Sequence, residues 1–380
     1  MRQVLRLCLA LVVAGCGAAP PLESTSTTPA PATSAAAGFP IEAFAAIIEE
    51  PVPAALAAEL QSILEELAGF AGVSATVMSA HGTWSGATGT ADGVRDVTVN
   101  DQFSIASITK AVTAAQVMQL VEAGDLGLDD PVADQLPPDL EFDTNGATIR
   151  QLLGHRSGIP DYLPMVSAQM SADPLRFWTP AELLAAVPAD RTTAGEAYAY
   201  GNTDYVLLGL VIEEVTGRPM ARVLRDGVLG IDGVERLIYQ PDEVPTQPIA
   251  IENSQSTDWL EANGGFLPSL ATTSDGPAAA MASDAVSLGR WWLALCAGMI
   301  VSQATLIEMT TMHDGDGLGL ADVERPPGTV GHAGADSGGN AMAGCLPERG
   351  VVVAVLANRA WDVLDTRTVA ESLVRAVAAP

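Results

Sequence analysis

Gly350 to Asn358 reads GVVVAVLAN, a run of β-branched residues closed by Gly and Asn, and Asn340 to Leu346 precedes it across Pro347-Glu348-Arg349-Gly350. Near the other end, Val73 to Ala80 and Thr83 to Asp92 flank His81-Gly82 in the same manner. Short apolar runs closed on both sides by turn residues are strands, and two of them joined by a short Gly-containing turn form a hairpin. A helix from Pro53 to Ala68, with Leu56, Leu60, Ile63, Leu64 and Leu67 on one face and Gly69 as its stop, precedes the first pair. A second helix from Asp362 to Ala378 follows the last pair. An isolated hairpin is marginal in water, so the two ends are expected to share one sheet, with Val73–Ala80 and Val351–Asn358 both in it. Between them, from about Leu126 to Leu320, apolar helical stretches alternate with Pro/Gly-rich loops. The expected fold class is therefore α/β in the α+β sense: an antiparallel sheet from both chain termini, flanked by helices, plus a mainly helical lobe of about residues 126–320 inserted between them.

The first residues do not belong to that fold. Arg2 and Arg6 precede an apolar stretch, Leu7 to Val13, that closes on Val13-Ala14-Gly15-Cys16. This is the pattern of an export signal, and it is far shorter than the roughly 20 residues that span a bilayer. Small residues directly before Cys16 resemble a bacterial lipobox, which implies a signal peptide of residues 1–15 and lipid on the Cys16 thiol. Residues 17–38 (GAAPPLESTSTTPAPATSAAAG) contain almost no large apolar side chain and read, with Cys16, as a tether of residues 16–38. The folded domain is then 39–380. The expected location is the outer face of the bacterial cell membrane, reached by export and held through lipid on Cys16.

Composition excludes some functions. With 18 Lys+Arg against 46 Asp+Glu the net charge is −28, which excludes a basic nucleic-acid binder. Only 17% of residues are charged while 48% are hydrophobic, so this is a core-rich globular chain and not a disordered acidic one. Of four cysteines, Cys8 leaves with the signal and Cys16 would carry lipid. Cys296 and Cys345 remain: outside the cytoplasm they can pair, or each can be a buried thiol, one in a helical pattern and one in a strand-like pattern.

The strongest chemical signal is Phe103-Ser104-Ile105-Ala106-Ser107-Ile108-Thr109-Lys110, which opens a helix with Ile108, Ala111, Val112, Ala115 and Met118 as its buried stripe and Ala123-Gly124 as its stop. Ser107 and Lys110 stand three residues apart, on one helix face, with Cβ atoms about 5–6 Å apart. A serine hydroxyl becomes a nucleophile when a neighbouring base takes its proton, and lysine serves once it has lost its own extra proton. Free N–H groups at the helix start would meet an oxyanion formed beside Ser107. Alone, S-x-x-K recurs by chance. Lys110, however, is the sole lysine of 380 residues.

Two further segments follow in order: Tyr200-Gly201-Asn202, and His332-Ala333-Gly334 before the last strand pair. With Ser107-x-x-Lys110 they resemble the serine β-lactamase and D-alanyl-D-alanine carboxypeptidase superfamily, in its class C β-lactamase-like branch, whose second motif is Tyr-x-Asn and third is Lys-or-His-x-Gly. The surroundings are similar too: Gly124-Asp125-Leu126 through Asp129-Asp130-Pro131, Leu152 to Ile159, and Met281-Ala282-Ser283-Asp284 before an amphipathic helix. The resemblance covers about residues 53–378.

It implies a β-lactamase-related serine hydrolase that works through an acyl-enzyme without metal or organic cofactor. Ser107 would attack a carbonyl, Lys110 and Tyr200 would share the base work, and Asn202 would hydrogen-bond substrate and Lys110. The backbone N–H groups of Ser107 and Ala335, beside Gly334, would form the oxyanion hole. His332 would donate to a substrate carboxylate or help polarise Tyr200. It stands where class C β-lactamases carry lysine, which points to a carboxypeptidase, esterase or amidase relative. The expected partners are a peptide or small-molecule substrate, cell-wall peptide among them, and the membrane through Cys16; no nucleic acid is expected, and the chain is expected to be a monomer.

Other readings are weaker. A non-catalytic module that binds cell-wall peptide on the same fold would have no need of the intact Ser107, Lys110 and Tyr200. Asp336-Ser337-Gly338-Gly339 is similar to the nucleophile segment of chymotrypsin-like proteases, but no histidine stands in the matching place and a helical middle does not suit two β-barrels. His155 is expected to brace the Arg156-Ser157-Gly158 turn. No two histidines stand at metal-ligand spacing on a helix.

Overall fold

Alternation along the last strand shows how the core is built. In β9 (Val351–Ala357), Val351, Val353, Val355 and Ala357 face one way and Val352, Ala354 and Leu356 the other, and all seven are buried. A strand buried on both faces needs a helical layer on each. The computed structural model, which describes residues 38–173, 176–246, 248–251, 276–336 and 339–378, provides both. One face is covered by α1 (Ala54–Ala68), through Leu60 and Leu64, together with the C-terminal helix Thr366–Val377, through Val369, Leu373 and Val374. The helix Ala285–Cys296 covers the other, through Leu288, Trp292 and Leu295.

The sheet has the order β2-β1-β9-β8-β7-β6, with every neighbouring pair antiparallel. Its strands are β1 (Val73–Ser79), β2 (Gly82–Thr88), β6 (Ala321–Asp322), β7 (Val330–Ala335), β8 (Asn340–Leu346) and β9. As the strand patterns at the two ends require, β1 pairs directly with β9, Val77 opposite Val353.

One expectation changes. The helix Ala285–Cys296 was placed in the inserted lobe by its pattern, but it packs on the central sheet, and Cys296 is disulfide-bonded to Cys345 of β8. The lobe thus ends near Asp284, whose side chain caps that helix by accepting from Ser287 N–H at 2.7 Å. Within the mainly helical lobe, β4 (Ile238–Tyr239) and β5 (Met281–Ser283) join β3 (Phe103–Ser104), which precedes it in the chain, in a second sheet of order β3-β5-β4. The segment with residues 1–15, the tether and Cys16 lies outside the described residues, as does Ser337. Among the described residues no helix is long and apolar enough to cross a membrane.

Candidate active site

Ser107 stands at the junction of a 3₁₀ turn, Ala106–Ile108, and α2 (Thr109–Ala123). Ala106, just before it, has φ +43°, a left-handed backbone that L-residues with a Cβ adopt at a cost, and such cost is characteristic of functional turns. The turn is held from two sides. Ile105 N–H donates to Met281 O at 3.0 Å, and Thr109 Oγ1 donates to Ala106 O at 2.7 Å. Strand β7 passes against it so closely that a Cβ at Gly334 would lie 2.2 Å from Ile105 O and 3.1 Å from Ser107 N. Glycine at 334 is what lets β7, with Ala335, lie beside the nucleophile.

Lys110 is fully buried and its Nζ has three partners: Ser107 Oγ at 3.1 Å, Asn202 Oδ1 at 2.8 Å and Ala278 O at 3.0 Å. The last two only accept, so they take two N–H bonds. The third direction meets the serine hydroxyl, which accepts from an ammonium or donates to a free amine. Thr113, one turn on, donates to Pro277 O at 2.7 Å, so α2 grips residues 277 and 278 with both side chains.

Asn202 opens the helix Asn202–Thr216. Its orientation is set by Asp161, whose Oδ1 accepts from Asn202 N–H at 3.1 Å and whose Oδ2 accepts from Nδ2 at 3.2 Å. With Nδ2 occupied there, Oδ1 must face Lys110.

Tyr200 is 42% exposed and its ring centroid lies 4.8 Å from Lys110 Nζ. Behind it sits His155, buried, with ring centroids 4.4 Å apart. His155 Nδ1 accepts from Gly201 N–H at 3.3 Å, and its carbonyl accepts from Ala199 N–H at 2.8 Å, so it holds the irregular segment that carries Tyr200 as well as its own turn. Asp204 Oδ2 lies 3.5 Å from His155 Nδ1, and Asp204 Oδ1 accepts from Ser157 Oγ at 2.6 Å. Burial pushes the imidazole well below its usual range, helped by the Lys110 charge and by His332, and pushes the Asp204 carboxyl well above its own. Burial thus acts against a charge on either group.

His332, on β7, is buried in the floor of the same open cleft, whose volume is about 420 Å³. Its Nδ1 is 2.6 Å from the Ala333 carbonyl, which only accepts, so Nδ1 carries the proton. Burial and the neighbouring Lys110 push its imidazole down to about 4, so it is neutral near pH 7.

The fold thus brings Ser107, Lys110, Tyr200, Asn202, His332, Gly334 and Ala335 to one place from three separate segments. A family model described as Beta-lactamase matches residues 60–374. The chain belongs to the Beta-lactamase family. Among relatives of this β-lactamase-family chain, Penicillin-binding protein 4 of Amycolatopsis lactamdurans is 30% identical over 284 residues, covering 69% of this chain and 73% of that one. Penicillin-binding protein 4* of Bacillus subtilis is 32% identical over 138 residues, 35% of this chain and only 30% of the relative. Among solved structures, a D-stereospecific amidohydrolase from Streptomyces superposes with TM-score 0.66 at 27% identity, covering 80% of this chain and 94% of the other. The D-amino acid amidase of Ochrobactrum anthropi superposes with TM-score 0.71 at 24% identity, over 86% and 100%. The β-lactamase/transpeptidase-like fold and serine hydrolase class follow from these together with the family.

Three contributors lie outside the motif residues. Ala278 acts through its backbone carbonyl, which leaves no side-chain signal. Asp161 lies 41 residues from the amide it orients. His155 falls within a segment already noticed, but its contact with Tyr200 depends on the helix Asn202–Thr216 folding back over it.

Proposed function

We propose that this chain is an exported, lipid-anchored serine hydrolase that cleaves amide or ester bonds through an acyl-enzyme, in the manner of D-alanyl-D-alanine carboxypeptidases, D-amino acid amidases and β-lactamase-related esterases. The observation that carries the chemistry is the 3.1 Å contact between Lys110 Nζ and Ser107 Oγ, with Asn202 Oδ1 and Ala278 O occupying the other two directions of the amine. The free amine takes the Ser107 proton as Oγ attacks the substrate carbonyl carbon. The tetrahedral oxyanion is met by the N–H groups of Ser107 and Ala335. On collapse the carbon–leaving-group bond breaks, and the leaving amine or alcohol takes a proton from Lys110 directly or by way of Tyr200. Water then attacks the acyl carbon by the same route in reverse and frees Ser107. Tyr200, whose hydroxyl makes no bond to Ser107 or Lys110 among the described residues, is assigned the second proton transfer and Lys110 the first.

Export and anchoring are supported by Val13-Ala14-Gly15-Cys16 and the tether that follows. The test of the reaction is intact-mass measurement after exposure to a fluorophosphonate and a penicillin, beside turnover of nitrocefin, a D-Ala-D-Ala peptide and a p-nitrophenyl ester. An adduct located on Ser107 with turnover of at least one substrate is expected. An adduct that persists in Ser107→Ala would overturn the assignment.

A further inference from the structure

The charges around the cleft are one-sided. Asp322, at the end of β6, and Glu324, two residues on, are exposed on its rim and have no ion pair among the described residues. Asp322 is paired in the sheet with Val330, two residues before His332. Asp316 also lines the cleft but accepts from the Tyr198 hydroxyl, and burial pushes its carboxyl up, so the rim carboxylates open to a ligand are Asp322 and Glu324. The remaining charges at the rim are already matched: Asp314 with Arg156, and Arg367 with Asp365 at 3.0 Å, the Arg367 guanidinium lying 4.1 Å from the Trp361 ring centroid. The Lys110 amine is engaged by Ser107, Asn202 and Ala278.

The floor has the same preference. His332 donates through Nδ1 to Ala333 O, which leaves Nε2 as a lone-pair acceptor with no hydrogen-bond partner among the described residues. A lysine at this position would offer three donors and a positive charge. Here the side chain offers an acceptor and no charge, so a substrate carboxylate finds neither a donor nor a counter-charge at His332, while a substrate N–H donor finds an acceptor there and carboxylates on the rim.

From the unpaired Asp322 and Glu324 above an acceptor His332, we infer that the cleft selects substrates bearing an ammonium group and discriminates against those bearing a carboxylate. The inference rests on Ser107 being the nucleophile, as proposed above, and adds the substrate class. A cleft lined by charge of one sign concentrates ligands of the opposite sign and speeds their encounter, an effect that salt screens.

Ser107 phosphonylation tests this without knowledge of the natural substrate. Diphenyl 1-aminoethylphosphonate carries a free amine beside the phosphorus; its N-acetyl form is neutral and its N-succinyl form carries a carboxylate. Diphenyl 5-aminopentylphosphonate carries the amine at the end of a chain. In each case Ser107 Oγ bonds to phosphorus and phenol leaves with the proton, so intact mass and phenol release both report the rate. The free-amine compound is expected to inactivate about tenfold faster than the N-acetyl form, with the N-succinyl form slowest. Added salt and the Asp322→Asn/Glu324→Gln pair should both shrink that ratio. Comparing the two amines locates the charge: a faster 1-aminoethyl compound means an α-amino group, a faster 5-aminopentyl compound a side-chain amine. Equal rates for amine and N-acetyl forms, or a faster N-succinyl form, overturn the inference while leaving Ser107 as nucleophile. Absence of Ser107 labelling by every compound removes the serine-hydrolase reading, and the inference with it.

Discussion

The imidazole of His155 lies against the ring of Tyr200, centroids 4.4 Å apart and planes 38° from parallel, while its Nδ1 receives the N–H of Gly201. One side chain thereby fixes both the tyrosine open to the cleft and the backbone leading to Asn202. His155 itself stands at φ +53°, a left-handed backbone that L-residues rarely adopt.

His155→Phe keeps a ring against Tyr200 but removes the acceptor for Gly201 N–H. Leaving that donor unpaired costs about 1–3 kcal/mol of stability. Because the segment carries Tyr200 and Asn202, kcat should fall about 10- to 100-fold with a smaller change in KM. A purely structural role would lower melting temperature and leave the kcat of the folded fraction unchanged, so thermal unfolding and steady-state kinetics on the same preparation decide the matter.

Lys110→Arg should abolish acylation although it keeps the charge, because guanidinium does not lose its proton at workable pH. Loss of the general base is worth about 10²–10⁴-fold in rate. Tyr200→Phe should cost less than Lys110→Arg if the contact of 3.1 Å from Lys110 to Ser107 carries the first proton. Rates of adduct formation by mass spectrometry separate the two, and full turnover by Lys110→Arg would place the base elsewhere.

Acid should destabilise the fold before the carboxylates titrate. His332 is held down to about 4 in the folded chain and titrates near the ordinary imidazole value of about 6.5 when unfolded, so the unfolded chain binds more protons in that window. Its contribution is complete above about pH 6.5 and lost as pH falls toward about 4; His155 acts in the same direction. Asp204 has the opposite sign: its carboxyl is held up by burial, so its penalty appears as pH rises above 3.8, and Asp204→Asn should raise the melting temperature at neutral pH. Urea unfolding of wild type, His332→Gln and Asp204→Asn across pH 4 to 7.5 would expose either sign being wrong.

The Cys296–Cys345 bond closes a loop of sequence separation 49 between a helix end and β8. In the chain-entropy account a loop of that size is worth about 4 kcal/mol. Reduction, or the paired Ser variant, should lower stability by about that amount with the fold retained, as read from denaturant midpoints with and without reductant.

If Cys16 is the lipid attachment point, Cys16→Ser should move the protein from the membrane fraction to the soluble fraction or leave its signal uncleaved. An unchanged membrane fraction in that variant would end the anchoring proposal.

Local pattern alone determined much of this protein. Apolar runs closed by turn residues located β1 and β9, and period-3.6 hydrophobicity located the helices beside them, because a strand buried on both faces is apolar throughout and a helix announces its buried face through spacing along the chain. The Ser107–Lys110 pair was legible for the same reason, since residues three apart on a helix are neighbours in space. Tertiary structure decided what no spacing encodes. Asn202 reaches Lys110 across 92 residues, Ala278 across 168, and Cys296 meets Cys345 because the helix Ala285–Cys296 packs on the sheet and not in the lobe. Backbone carbonyls and glycines leave no chemical signature in a sequence, so the grip of Ala278 on Lys110 and the close pass of Gly334 beside Ser107 exist only once the chain has folded. The character of His332 was likewise undecided: a histidine can donate, accept or carry charge, and burial with a single hydrogen bond to Ala333 O is what makes it a neutral acceptor here.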